Sequence, residues 1–194
     1  MGRLMLRPNN YSSRSRFAAR LNSSVSQQNM FIRDFIPEEQ TSLRQVFMSS
    51  VHELTCGFYT KKQLDAWAPQ TYDEQQWAEK FAALRPFVAV VDDRVAGYAA
   101  LQDSGYIDHF FVSGQFSGFG VGSALMTHIH QSAAARAIPE LSAHVSLAAE
   151  SFFSKHGFWA AKRQSVMVRG VSLNNSLMVK RLLGELTLQV QHSE

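Results

Sequence analysis

Hydrophobic and polar positions change period several times along the chain, and each change predicts an element. Phe31 to Phe35 reads as a short first strand, and Pro37-Glu38-Glu39 then opens a helix, with proline and acids suited to its first turn. Leu43, Val46 and Phe47 recur at helical spacing as its buried face. A second helix spans about Thr60 to Ala66 and stops before Pro69. Trp77 and Phe81, four apart, are read as core on a third. Alternation returns in Phe87 to Val91 and Val95 to Gln102, a hairpin about Asp92-Asp93-Arg94, and a turn at Asp103-Ser104-Gly105 leads to a strand from Tyr106 to Val112. Helical spacing resumes over Val121 to Ala137 until Pro139, followed by a strand Leu141 to Val145 and a helix Ala148 to His156. Two last strands, Ala161 to Val168 and Ser176 to Leu182, flank a turn at residues 169–172.

Between the strand ending at Val112 and the helix starting at Val121 lie Gly114, Gly118 and Gly120, with Gly122 just inside the helix. Glycines at this interval allow positive φ and leave backbone amides uncovered. At a helix start those amides have no partner in the chain, and the helix dipole favours negative charge, so the turn suits a phosphate or pyrophosphate. A nucleoside-triphosphate loop would need a lysine after its last glycine, and Ser123 follows Gly122 instead. The dinucleotide fingerprint Gly-x-Gly-x-x-Gly, started at Gly118, fails because Ser123 fills its last glycine position.

The stretch Ser117-Gly-Phe-Gly120-Val-Gly122 resembles the acyl-CoA loop of the GNAT superfamily of N-acetyltransferases, Gln/Arg-x-x-Gly-x-Gly/Ala, with Ser117 where the family usually has Gln or Arg. Ser146 to Phe158, SLAAESFFSKHGF, is similar to the superfamily's later segment, Asn-x-x-Ala-x-x-Phe-Tyr-x-x-x-Gly-Phe, with Ala149, Phe152, Gly157 and Phe158 in place. The resemblance covers roughly Met30 to Leu183. It implies an α/β (α+β) fold, a mixed and mostly antiparallel twisted sheet of six to seven strands with helices on both faces, and a C-terminal hairpin closing against the fifth strand.

It also implies acetyl-CoA as co-substrate and no metal. Phe110, Phe111 and Val112 would line pantetheine where strands four and five splay, with an amide of Phe111 or Val112 facing the oxyanion. Ser117, Gly118, Phe119, Gly120, Val121, Gly122 and Ser123 would hold the phosphates, and Ser146 and Phe153 complete the cofactor set. Acyl transfer further needs a base for an ammonium with an ordinary pKa of ~10. Asp108 and His109 are candidates on opposite faces of an alternating strand, so one of them faces the substrate; Asp108, acting through water, is favoured. A tyrosine often acts as acid at the position of Phe153, which has no proton to give, so Ser146 or His144 stands in for it or solvent suffices. Tyr59, Trp67 and Tyr106 are expected to contact the acceptor, a small-molecule amine or exposed amino group. His128 and His130, two apart on a helix, do not form a metal pair.

Composition trims this picture. The net charge of +3 resides in the first 29 residues, which hold five arginines and no acid; the other 165 residues carry 14 basic and 16 acidic side chains, a net of −2. A nucleic-acid partner is therefore not expected. Cys56 is the only cysteine, which excludes an internal disulfide and fits a reducing cytosol. No apolar run reaches the 18 residues of a membrane span. Residues 1–29 have the composition of a disordered or processed extension, an organellar transit peptide being one alternative and translation from Met30 another. Residues 30–183 form the domain and 184–194 a tail, with no internal repeat. An edge strand of the C-terminal hairpin could support a homodimer. Two functions of different class fit: an N-acetyltransferase, or an acyl-CoA-binding regulatory module with little turnover, suggested by Ser117 and Phe153.

Overall fold

The computed structural model describes residues 29–182; expectations for residues 1–28 and for the tail lie outside them. Seven strands form one sheet in the order β1-β2-β3-β4-β5-β7-β6. They are β1 (Met30–Asp34), β2 (Phe87–Val91), β3 (Arg94–Leu101), β4 (Tyr106–Val112), β5 (Glu140–Ser146), β6 (Trp159–Val168) and β7 (Val171–Arg181). Every neighbouring pair is antiparallel except β4 with β5. That parallel pair follows from the connection: a helix, rather than a tight turn, joins the two strands.

Helices α1 (Gln40–Leu54), α2 (Lys61–Trp67) and α3 (Glu74–Leu84) cover one face, and α4 (Val121–Ala135) and α5 (Glu150–Lys155) the other. Each face has its own apolar core. Leu43, Val46, Phe47 and Phe81 pack with Val88, Val90 and Tyr98 on the first; Leu125, Met126, Ile129 and Phe153 pack with Ala89, Ala99 and Leu141 on the second. Thr60 and Gln63 form the capping box that starts α2, and Asp73 Oδ1 accepts the Gln76 amide at 2.9 Å to start α3.

The β2–β3 and β6–β7 hairpins turn on two residues with positive φ, Asp92-Asp93 and Arg169-Gly170, which match the twist of paired strands. The second turn is tighter than its sequence suggests. Strand β7 therefore begins at Val171 and not at Ser176, its first half pairing with β6 from Val168 backwards. The polar pair Asn174-Asn175 hides this stretch in the sequence.

Candidate active site

Strands β4 and β5 pair only at Tyr106 with Ser142 and Ile107 with Ala143 before they separate. Two cavities meet at this splay, of about 560 and 470 Å³.

The larger one is bounded by Phe110 to Val112 of β4, by the turn Ser117, Gly118 and Gly120, by Val121 to Ser123 and by Ser146, Phe152 and Phe153. Gly118 and Gly120 both have φ of +82°, and nothing lies within 4 Å of where a Cβ would project from either. The turn is thus open towards a ligand for a reason only glycine satisfies. Gly120 caps α4 without a side-chain partner, and the first helical bond into this turn comes from Ala124, so the amides of Val121, Gly122 and Ser123 are free for an anion. Among the described residues no lysine or arginine lines this cavity. Phe119, expected among its residues, is not part of the lining; it is 49% exposed, with its ring 6.3 Å from that of Phe116. Phe153 is buried between Phe110 and Phe158 and presents only ring carbon to the cavity.

The smaller cavity is aromatic. Phe47, Tyr59, Trp67, Tyr72, Trp77 and Phe111 line it, from α1, α2, α3, their loops and β4. Trp77 is therefore both core, against Phe81 at 4.5 Å, and cavity wall. Tyr59 lines it too, but its hydroxyl is committed: it donates to the Asn174 carbonyl at 2.7 Å and accepts from the Leu147 amide at 2.9 Å. Its first task is to pin the α1–α2 connection to β5 and β7. Residues with no sequence signal also converge here, among them Arg44, Lys80, Arg169 and Asn174. Arg44 lies on the apolar stripe of α1, where a sequence pattern shows only an interruption.

Trp67, Asp108, Phe111, His144 and Ser146 line both cavities and so form their shared wall. The expected split between Asp108 and His109 does not occur: both border the aromatic cavity. The cause is a bulge. Ala99 faces Phe110 while Leu101 faces Ile107, so three steps along β4 match two along β3. One extra residue breaks the alternation, and Ile107 and Phe110, three apart, pack into the same core. His109 turns into the aromatic cluster, stacked on Tyr98 at 5.8 Å with Phe81 at 5.2 Å, and burial aided by the Lys80 charge pushes its pKa down to about 3. It is neutral at physiological pH. Tyr106 directs its hydroxyl to His144 Nδ1 at 3.2 Å, and burial followed by the nearby Asp108 carboxylate raises the Tyr106 pKa.

The ladder also decides which amide faces the splay. Ser113 N donates to Ala96 O at 2.9 Å, so counting back by two commits Phe111 N–H to β3 and directs those of Val112 and Phe110 towards the splay. Of the two amides expected at the oxyanion position, Val112 is the free one. Cys56 is exposed and lines neither cavity. Among the described residues no group of three or more His, Cys, Asp or Glu is placed to hold a metal ion, and no helix is long and apolar enough to cross a membrane.

Comparison with known proteins agrees with this fold. Residues 57–179 match the family model described as acetyltransferase (GNAT) domain. The chain is 31% identical over 150 residues to the uncharacterized N-acetyltransferase YafP of Escherichia coli strain K12, covering 77% of this chain and 95% of YafP. A GCN5-related N-acetyltransferase structure from Rhodopseudomonas palustris superposes with a TM-score of 0.75 at 30% identity, covering 78% of this chain and 95% of that one. The PaiA N-acetyltransferase of Thermoplasma acidophilum, solved with coenzyme A, shares the fold at a TM-score of 0.64 and 15% identity, over 79% of this chain and 99% of its own. On these grounds the chain belongs to the GNAT superfamily of N-acetyltransferases, enzymes of the acyltransferase class.

Proposed function

We propose that the protein moves an acetyl group from acetyl-CoA to the primary amine of a small molecule or an exposed amino group, by direct attack in a ternary complex. The observation that carries this is the shared wall: a cavity with a backbone anion cradle and an aromatic cavity open onto the same five residues. The open glycine turn and free amides of α4 suit the pyrophosphate of coenzyme A, and the unpaired inner edge of β4 suits pantetheine. Acetyl-CoA, when bound, supplies a thioester carbonyl whose C–S bond is exchanged for a C–N bond to the amine.

Asp108 takes the proton of the attacking amine through water; it lines both cavities, and no ion pair among the described residues occupies it. Val112 N–H faces the negative charge that develops on the carbonyl oxygen, a role that requires no particular side chain. His144, oriented by Tyr106, and Ser146 are placed to return a proton to the departing thiolate. With Cys56 outside both cavities, direct transfer is favoured over a covalent acyl-enzyme.

The test is a CoA-release assay on the full chain with acetyl-CoA and a panel of amines, amino acids, polyamines and peptides, with acetyl-CoA binding followed calorimetrically. Turnover with any acceptor is expected. Binding of acetyl-CoA without release across the panel would favour the regulatory module, and absence of binding would reject both.

A further inference from the structure

The aromatic cavity carries charge that acetyl transfer does not use. Arg44 is 6% exposed, and its guanidinium lies 4.4 Å from the ring centre of Tyr72 and 5.2 Å from that of Trp77. One N–H group is spent on the Pro69 carbonyl; no carboxylate pairs with it among the described residues. A buried guanidinium with most of its five donors unused is costly unless something anionic meets it. Lys80 and Arg169 line the same cavity, also without a carboxylate partner among the described residues, and none of the three cations lines the neighbouring one.

The two carboxylates of this cavity stand apart from those cations in role. Asp73 keeps its charge at the start of α3, where its Oδ1 accepts the Gln76 amide, and Asp108 belongs to the shared wall. An acceptor would thus meet Asp108 at the reacting wall and, away from it, three cations against the single carboxylate of Asp73, with flat rings between. We propose that the acceptor is an amine that also carries a carboxylate, its anionic group held by the Arg44 guanidinium and its amine drawn to Asp108. This rests on the acetyltransferase function proposed above. Lys80 and Arg169 raise the local positive potential, and the guanidinium's fork suits a bidentate carboxylate.

Matched acceptors isolate the charge: phenylalanine and 4-aminobutyrate, each against its own primary amide, measured on the full chain by CoA release and by calorimetric binding in the presence of CoA. The carboxylate member of at least one pair is expected to be favoured roughly 10-fold or more, as hydrogen bonds to charged groups allow. Arg44→Gln should raise KM for that member and bring it down to its amide, leaving KM for acetyl-CoA in place. Lys80→Gln, at an exposed position that does not burden folding, should reduce the preference by a smaller factor that fades with added salt.

Equal or better use of the amide in both pairs overturns the proposal, as does an Arg44→Gln enzyme slowed equally on both members, which would mark a structural arginine. Should nothing turn over while acetyl-CoA binds, transfer itself is refuted, and the carboxylate-against-amide binding ratio still decides this point.

Discussion

The two cavities are built from different materials. The larger is made by backbone: glycines, free amides at the start of α4 and the unpaired edge of β4, with no lysine or arginine among the described residues of its lining. The smaller is made by side chains from α1, α2, α3, β4 and β7, dominated by rings and carrying Arg44, Lys80 and Arg169. Under the proposed function, the backbone cradle would take what every acyl donor of this kind shares, its phosphates and pantetheine arm. The side-chain cavity would then take what differs between acceptors, and most of its lining lies outside the cradle.

If that division holds, substitutions on the shared wall should affect chemistry most. Asp108→Asn is expected to lower kcat about 100-fold while changing acetyl-CoA affinity little, in steady-state kinetics at neutral pH. An unchanged rate would remove Asp108 from the base role. Within the cradle, Gly120→Val should raise KM for acetyl-CoA roughly 10-fold and cost about 1–2 kcal/mol in denaturant unfolding, because φ of +82° is hostile to a β-branched residue. The KM for the acceptor should move far less, and equal damage to both would blur the distinction between the cavities.

In the side-chain cavity, Tyr59→Phe leaves the Leu147 amide without its acceptor and removes the donor to Asn174. A loss of about 1–3 kcal/mol is expected, with an acceptor KM changed less than the stability suggests. Acid should weaken the same region. His109 has its pKa depressed to about 3 from 6.5, so the stability of its neutral form is complete above about pH 6.5 and is lost as pH falls towards 3. His130, pushed to about 4 by burial and Lys180, adds in the same sense. Unfolding free energies from urea titrations at pH 7 and pH 5 should differ by about 1–2 kcal/mol on account of His109 alone, and His109→Gln should flatten the slope. The smallest effect belongs to Cys56→Ser: kcat within about twofold, since a thiol in neither cavity has no part in transfer. A large loss would reopen a covalent route.

Legibility followed the same division. The glycine turn was visible because backbone binding demands a residue type that sequence displays, and the strand and helix on either side of it, β4 and α4, were visible through their periods. The aromatic cavity was visible only in part. Tyr59 and Trp67 stood out as aromatics beside turns, whereas Arg44 looked like a flaw in an apolar stripe and Trp77 like plain core. Asp108 and His109 were separated by a rule of alternation that assumes a regular ladder. The bulge opposite Ala99 to Leu101 depends on how β3 and β4 pair, and no residue in β4 announces it.

The sequence by itself determined the order of elements, the glycine turn before α4 and the family, because periodicity, glycine spacing and capping act over a few neighbouring residues. Only the tertiary structure decided that β7 begins at Val171, that Phe119 lies outside the cavity lining and that the Val112 amide is free. It alone placed Arg44 beside Tyr72 and Trp77. Those features depend on register and on packing between segments far apart in the chain, where the choice of partner is made by the whole sheet and its two apolar faces.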